Sequence, residues 1–313
     1  MLLALKGCDT SMIQAYEFKP DTDTIAYLKT SDDAEMLTLT GRPIIGSSGI
    51  AMTDSYLKGW YTPPNKKIHV SEKTNANGSY PVQPESFVYA ERVVTVNMFA
   101  YGGSRSEVVH KIDEVSNFLN RDVIFQVIDG GVSTYIEGYA TITWDEKRYQ
   151  DTCYGTLTVV TNGFPFRRSS KVQKNTFVLT QDTSSKPGLR FKSTNLLFPL
   201  QYGASNKSNK TFFVKNDGNI TAYPEITITG DDIKTVKLKN SESTFFVNSN
   251  FWGTLVINPN EMPGISINKL DASVHVLQQT FPVVPPSKSS NFTIEVQSSS
   301  KVFIKVIAHD IYL

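Results

Sequence analysis

The fold of this chain is decided by residues 92–139, RVVTVNMFAYGGSRSEVVHKIDEVSNFLNRDVIFQVIDGGVSTYIEGY. The stretch opens with β-branched and aromatic residues, which favour a strand, and Gly102-Gly103 ends that strand. A helix pattern follows, and then residues 123–128 and 135–139 form two β-rich segments around an Asp-Gly-Gly turn. The predicted order is strand, helix, strand, turn, strand, and none of these residues forms a catalytic arrangement.

The helix within this stretch is predicted to cover about residues 105–120. Ser104 and Glu107 have the Ser-x-x-Glu spacing of a capping box, which satisfies N–H groups at a helix start. The apolar residues recur with helical spacing and share one face: Val108, Ile112, Val115 and Leu119. We therefore expect one amphipathic helix whose apolar face packs on a sheet of the flanking strands.

The composition is that of a neutral globular protein. The 313 residues are enough for two domains, and 40% of them are hydrophobic. A net charge of +1 offers no field that would recruit nucleic acid or an anionic membrane. No apolar run approaches the ~20 residues that span a bilayer, and the N-terminal apolar run is too short for a signal peptide. The sequence predicts synthesis in a cytoplasm and no membrane insertion.

The two cysteines, Cys8 and Cys153, are too few for a disulfide framework and have the wrong spacing for a zinc site. A bridge between them is one alternative. Two buried thiols in a reducing compartment is the interpretation that the sequence favours.

The chain divides into two predicted domains. Residues 1–168 form a β-rich domain with the helix, and a long excursion at about 54–86 contains Pro-Pro and Asn-Gly turn signals. Residues 169–313 contain short alternating strands separated by turn residues, which is typical of a β-sandwich. The predicted fold is therefore mainly β, with one helix in the first domain.

A search for chemistry finds no catalytic, cofactor or metal site. None of the four histidines has metal-ligand spacing to another ligand, and phosphate-binding and nucleophile motifs are absent. The adjacent carboxylates Asp231-Asp232 follow a glycine and read as turn chemistry. The sequence therefore predicts a protein that is not an enzyme, and a glycoside hydrolase with two facing carboxylates is the least favoured alternative.

Two aromatic pairs remain as candidate contact residues: Trp60 with Tyr61 in the excursion, and Phe251 with Trp252 in the second domain. Such aromatics on loops stack on sugar rings or anchor a partner protein. The alternative for Trp252 is that it caps the sandwich core. Arg167-Arg168 either pairs with carboxylates of a neighbouring subunit or is solvated.

These motifs in this order resemble the distal tail protein family of long-tailed siphophages, especially phages of Gram-positive hosts. The strand–helix–strand pattern is followed by Tyr135-Ile-Glu-Gly138, which is similar to the family's Y-x-G segment. Residues 214–228, VKNDGNITAYPEITI, resemble the family's approach to a galectin-like sandwich, and residues 253–258 and 265–268 resemble its next two strands. The chain has Gly163-Phe-Pro165 where the family turns on an aspartate-proline pair.

The resemblance implies a structural ring component of a phage tail tip, in the virion tail. The subunit would form a homo-hexamer through its first domain, and DNA would pass through the ring without sequence-specific binding. The ring would join the tail tube protein to the tail-tip protein. The second domain, galectin-like or similar to a carbohydrate-binding module, would face outward and hold baseplate or receptor-binding proteins for host attachment. No cofactor is implied.

The alternative from another functional class is a carbohydrate-binding adhesin that recognises host cell-wall polysaccharide. It rests on the sandwich-like second half and on the position of Phe251-Trp252 between polar turn residues. The two hypotheses are compatible with each other, since one subunit can both assemble and bind sugar.

Overall fold

The computed structural model describes residues 24–31, 35–41, 43–44, 47–67, 69–72, 79–82, 88–119, 121–145, 151–180, 207–260, 264–298 and 300–313. The first half contains β1 (Ile25–Thr30), β2 (Met36–Thr40), β3 (Gly49–Lys58), β4 (His69–Glu72), β5 (Ser79–Val82), β6 (Val93–Tyr101), α1 (Arg105–Ser116), β7 (Asp122–Asp129), β8 (Val132–Trp144) and β9 (Thr152–Thr161). The second half contains β10 (Arg167–Leu179), β11 (Lys207–Asn216), β12 (Glu225–Lys239), β13 (Thr244–Ile257), β14 (Ile265–Ile267), β15 (Leu270–Asp271), β16 (Val276–Gln279), β17 (Lys288–Ser298) and β18 (Val302–Tyr312). The prediction of a mainly β fold with one α-helix is confirmed for the described residues.

Seven strands of the first half form a closed barrel in the order β1-β2-β3-β6-β9-β8-β7, and β7 pairs back with β1. Every neighbouring pair is antiparallel except β2 and β3, which run parallel. Along β6 and β9 every second side chain is buried, as a sheet with one face toward a core requires. The inward side chains, among them Leu28, Val96, Phe125 and Leu157, form the barrel core.

The helix α1 lies across one end of this barrel. Its predicted N-terminus is confirmed: the Ser104 side chain accepts a hydrogen bond from the Glu107 N–H, and the Glu107 carboxylate accepts one from the Gly103 N–H. Val115 joins the barrel core, and Val108 packs with side chains at the adjacent ends of β6 and β9. The helix ends at Ser116 rather than near residue 120, and a turn follows it.

Gly138 lets β8 change partners. The first part of β8 pairs with β7 and its last part with β9, and Gly138 pairs with residues of both neighbours, Val123 and Thr161. A Cβ on Gly138 would lie 1.9 Å from the Val160 carbonyl oxygen. A residue without a side chain is therefore needed where the two strands approach so closely.

The excursion starts later than the sequence predicts, because residues 54–58 belong to barrel strand β3. Within it, β4 and β5 pair with each other in a separate two-stranded sheet. An antiparallel bridge between Lys66 and Tyr89 closes its base, and the Lys67 N–H donates to the Val88 carbonyl at 2.7 Å. The hairpin thus projects from an anchored base.

The second half is a β-sandwich whose two sheets share the β12–β13 hairpin. One sheet has the order β10-β18-β12-β13-β14-β15 and the other the order β11-β17-β12-β13-β16. The register of β12 shifts between Gly230 and Ile233, and Asp232 has φ 50°. Asp231-Asp232 therefore lies at a bulge inside one bent strand and not, as the sequence predicted, in a turn. Inward side chains of both sheets form one continuous core.

Strand β10 connects the two halves. Arg168 and Ser169 pair with Tyr135 and Thr134 of barrel strand β8, and the rest of β10 pairs with β18. The barrel and the sandwich have separate hydrophobic cores. The exact boundary at residues 168 and 169 stays a prediction. Cys153 is a buried free thiol, while Cys8 lies outside the described residues.

Candidate functional site

Trp252 lies at the bend of β13, where the strand passes from one sheet of the sandwich to the other. Gly253 has φ +101°, a conformation that side chains other than glycine rarely adopt. Neighbouring side chains of a strand point to opposite faces, and here Phe251 is buried in the core while Trp252 is 74% exposed. Trp252 therefore does not cap the core, and its contact with a sugar or a partner protein stays a prediction.

Asn268 fixes the backbone on both sides of this bend. Its Nδ2 donates to the Trp252 carbonyl at 2.9 Å, and its Oδ1 accepts from the Thr254 N–H at 2.9 Å. Asn268 and Lys269 form the two-residue turn between β14 and β15, with φ values of 50° and 69°. Two positive φ values are the signature of a type I′ hairpin turn, in which Asn is favoured at the first position. Asn268 therefore holds the backbone from which the Trp252 side chain leaves the strand.

A groove of about 310 Å³ lies beside the indole ring. Trp252 and Leu270 supply its apolar surface, and Asn250, Asp271 and His275 supply polar groups. Its size falls within the range of small-molecule sites, which combine an apolar wall with a few placed polar groups.

The carboxylate in this groove is held in place by its own loop. Asp271 Oδ1 accepts from the Ser273 N–H at 2.9 Å, and Ala272, the residue between them, is buried. The sequence analysis did not find Asn268, Asp271 or His275. The one local signal was the two-residue spacing between Ile267 and Leu270, which predicts a tight turn but does not place it against Trp252.

Trp60 and Tyr61, the other predicted aromatic pair, occupy different environments. Trp60 is 1% exposed and packs edge-on against Phe125 in the barrel core, with ring centroids 5.5 Å apart. It is a core residue and not a surface contact. Tyr61 is exposed, and its hydroxyl hydrogen-bonds the Asp129 carboxylate. A contact of Tyr61 with a partner stays a prediction.

The two arginines at the junction are engaged within the chain, so neither alternative from the sequence describes them. The Arg167 guanidinium lies over the rings of Trp60 and Tyr61, at 5.7 and 5.1 Å from the centroids. Arg168 forms an ion pair with Glu137 of β8 at 2.8 Å. Both residues therefore connect strand β10 to the barrel.

His309 of β18 packs at the same junction. Its Nδ1 lies 3.0 Å from the Ser169 carbonyl oxygen, and its ring meets Tyr135 of β8 edge-on. Burial lowers the pKa of His309 below its usual 6.5, and the positive charge of Arg168 adds to this effect. The neutral imidazole is therefore the form that the junction accommodates.

Arg92 is a buried cation that holds backbone segments together. Its Nη1 donates to the carbonyl groups of Gly59, Trp60 and Thr62 at 2.7–2.9 Å, and its Nε donates to that of Pro165 at 2.8 Å. Burial, with a contribution from nearby Arg167, lowers the pKa of Arg92 to about 10. Its contacts link the start of the excursion to the connection between the two halves. From the sequence, Arg92 is only the first residue of a predicted strand.

The remaining candidates for chemistry are dispersed. His110 is exposed on α1, His275 lies in the groove, and His309 is at the junction. In the part of the chain that the structure describes, no three His, Cys, Asp or Glu side chains form a group that would hold a metal ion. Across the same residues, no helix has both the length and the apolar character to cross a membrane.

Comparisons with known proteins give similarity at the level of structure. No family model matches the chain, and no curated protein sequence matches it. The crystal structure of the Dit protein (gp 19.1) of phage SPP1, presented as a paradigm of the hub adsorption apparatus in phages that infect Gram-positive hosts, superposes with a TM-score of 0.51. The match has 13% sequence identity and covers 92% of this chain and 99% of that one. At this identity, it shows a shared fold.

Two structures of the phage P2 baseplate in its activated conformation, one with Ca and one with Sr, are also similar. Their TM-scores are 0.39 and 0.38, each with 10% identity. The matches cover 88% and 87% of this chain, and 98% and 97% of the respective baseplate chains.

Proposed function

We propose that this chain is a structural subunit of the tip of a long-tailed phage tail, where copies of it form a ring. The observation that carries the proposal is the similarity of fold to the SPP1 Dit protein, which extends over both halves of the chain. The order of motifs in the sequence supports the same assignment independently. In this proposal residues 1–168 form the ring, and residues 169–313 form an outward-facing galectin-like sandwich.

In the proposed ring, the barrels of neighbouring subunits do not pair through their strand edges. A closed barrel presents no unpaired edge, so it does not join copies by strand addition. The β4–β5 hairpin, in contrast, has only two strands of four residues each, paired with each other. Such a hairpin is marginally stable alone in water, and contact with a neighbouring subunit would stabilise it. A head-to-tail contact of this kind closes into a ring when a whole number of rotations between neighbours completes one full turn.

The remaining partners follow from the position in the tail. The ring is a homo-hexamer that joins the tail tube protein to the tail-tip protein, and the outward sandwiches hold baseplate or receptor-binding proteins. A net charge of +1 is compatible with DNA passing through the ring without tight binding. The protein is made in the host cytoplasm, functions in the virion tail, and has no enzymatic role.

Oligomeric state tests the proposal. We expect light scattering and negative-stain microscopy of the purified chain to show a ring of six copies, alone or after addition of the tail tube and tail-tip proteins. A monomer at every concentration that also fails to join either protein would contradict it. Absence of reducing-sugar release from cell-wall substrates is expected as well.

A deletion tests whether the β4–β5 hairpin is needed for ring assembly but not for folding of the barrel. Residues 68–87 are replaced by a short Gly-Ser linker, because Lys67 and Val88 already meet at the hairpin base. We expect the variant to retain the circular dichroism spectrum and thermal transition of the barrel but to lose the ring. If it assembles as well as the full chain, the hairpin is not the contact between subunits.

A further inference from the structure

We propose that the groove beside Trp252 binds a neutral saccharide, a hexose or N-acetylhexosamine unit of a surface polysaccharide. This inference goes beyond a structural role in the ring and does not depend on it. It assigns Trp252 as the stacking platform, Asp271 as the polar partner of the sugar hydroxyls, and Asn268 as the positioning residue.

The exposed indole is the first argument. Trp252 leaves 74% of its surface in water although Phe251, next to it, is buried in the core. Exposing a large aromatic ring forgoes the free energy of burying it, and Trp252 shares its groove with Leu270, which is also exposed, so the two form an apolar surface that a ligand can cover. A pyranose presents an apolar face of C–H groups and a rim of hydroxyls, which matches an indole with polar groups beside it.

The second argument is that the backbone that carries the indole is held in place. The two hydrogen bonds of the Asn268 carboxamide fix the carbonyl of Trp252 and the N–H of Thr254. Gly253 leaves room for that carboxamide, since a Cβ on Gly253 would lie 2.1 Å from Asn268 Oδ1. A platform held in this way loses little conformational entropy when a ligand stacks on it. The turn that supplies Asn268 has two successive residues at positive φ, a conformation that surrounding contacts must maintain.

The polar groups in the groove decide the class of ligand. Asp271 is oriented by its bond to the Ser273 N–H, and Asn250 and His275 lie in the same groove. Carboxylate, amide and imidazole groups accept from and donate to hydroxyls. Of the described residues that line the groove, none is Lys or Arg, while one is an aspartate. This lining disfavours a phosphate or another anion and favours an uncharged sugar.

The competing occupant is a protein. Leu270, Val274 and Leu277 are exposed in the same region of the sandwich and would suit an apolar partner surface. The groove volume of about 310 Å³, however, is the size of a small-ligand site, whereas a stable protein interface buries ~800 Å² of each partner across a broad surface. We therefore propose a saccharide as the occupant of the groove, and binding of a protein in its place would contradict the proposal.

The experiment uses the full chain and a panel of neutral oligosaccharides built from glucose, galactose, rhamnose, N-acetylglucosamine and N-acetylgalactosamine. Binding is followed by tryptophan fluorescence and by isothermal titration calorimetry at ligand concentrations up to about 10 mM, which detects weak binding. Fluorescence reports on this site because Trp252 is exposed, whereas Trp60 is buried and Trp144 is partly buried against the barrel core.

Three variants and a matched control assign the site. We expect W252A to weaken binding of the active sugar by roughly tenfold or more, because it removes the stacking surface. D271N and N268A should each weaken it severalfold, N268A because the backbone that carries Trp252 loses two hydrogen bonds. F303A removes an aromatic that is also exposed on the sandwich but outside the groove, and it should bind like the natural chain. Because Trp252 is exposed, W252A should keep the fold of the natural chain, and matching thermal transitions verify this.

The outcomes are distinct. Sugar binding that W252A removes and F303A retains supports the proposal. Three outcomes overturn it: no sugar bound at the highest concentration, binding that is unchanged in W252A, or a purified tail protein that binds through Trp252 while no sugar does. W252A should still assemble into rings, so a failure of this proposal is distinguishable from a failure of the ring.

Discussion

Arg92 is the residue on which the junction most depends, since it is 2% exposed and its guanidinium donates four hydrogen bonds to backbone carbonyls. Replacing it with Met leaves those carbonyls without donors in a buried site. We expect Arg92→Met to lower the free energy of unfolding by about 3 kcal/mol or more, measured by urea denaturation. Arg92→Lys should recover only part of this, because an ammonium group does not reach carbonyls on two separate segments at once.

The control for Arg92 is Arg121→Met. Arg121 forms an exposed ion pair with Glu35 at 3.2 Å, and such pairs contribute about 0–1 kcal/mol. Equal losses in the two variants would show that Arg92 is no more important than a surface charge.

His309 makes stability depend on pH. Because burial lowers its pKa in the folded chain below 6.5, the unfolded chain binds more protons as the pH falls through 6.5. The free energy of unfolding should therefore decrease from pH 7.5 to pH values below 6.5, and it should stop decreasing below the folded-state pKa. His309→Gln keeps a polar side chain but no titration, so its unfolding free energy should change less over this range. An unfolding free energy of His309→Gln that varies with pH as much as that of the natural chain would contradict this assignment.

At the scale of elements, side-chain amides of β10, and not another strand, bond the outer edge of β11. Gln173 Oε1 of β10 accepts from the Lys215 N–H of β11 at 3.0 Å, and Asn175 Nδ2 donates to the Phe213 carbonyl at 3.0 Å. These bonds occupy backbone groups of β11 that would otherwise face outward as a free edge. The amides thus protect one sheet edge while joining the two sheets.

Gln173→Leu should open this edge. We expect a loss of about 1–2 kcal/mol in the free energy of unfolding, and faster hydrogen exchange of the Lys215 amide than in the natural chain. Lys174→Leu alters the neighbouring exposed position, which makes no such bond, and should leave that exchange rate unchanged. Protection of Lys215 that survives in Gln173→Leu would rule out the amide as its partner.

At the scale of the whole molecule, two cores are joined along a narrow contact of β8 with β10. The Arg168–Glu137 ion pair lies on this contact, and Arg168 is mostly buried. Glu137→Gln should leave that cation without its counter-charge, with a loss of about 1 kcal/mol. Hydrogen exchange should accelerate in peptides covering residues 133–137 and 167–170.

Glu35→Gln is the matched change, since Glu35 also pairs with one arginine and has a similar exposure of 50% against 46% for Glu137. It lies in the barrel, away from the junction, so exchange at residues 167–170 should not respond. Acceleration in both variants would mean that the effect is general destabilisation and not loosening of the contact between the halves.

The sequence by itself determined the features that depend on neighbouring residues. The start of α1 follows from Ser104 and Glu107, its apolar face from the helical spacing, and the β character of both halves from alternating side chains. These are local properties, since a capping bond or an alternating strand involves residues only a few positions apart.

The tertiary structure decided what depends on distant partners. Trp60 and Trp252 each belong to an aromatic pair beside a glycine, yet one is enclosed by Phe125 and the barrel core and the other lies on the solvent face of β13. Asp231-Asp232 forms a bulge within a strand because β12 pairs with β18 before these residues and with β17 after them. Barrel closure, the burial of Arg92 and the groove beside Trp252 all depend on contacts between residues far apart in the chain, for which local sequence carries no signal.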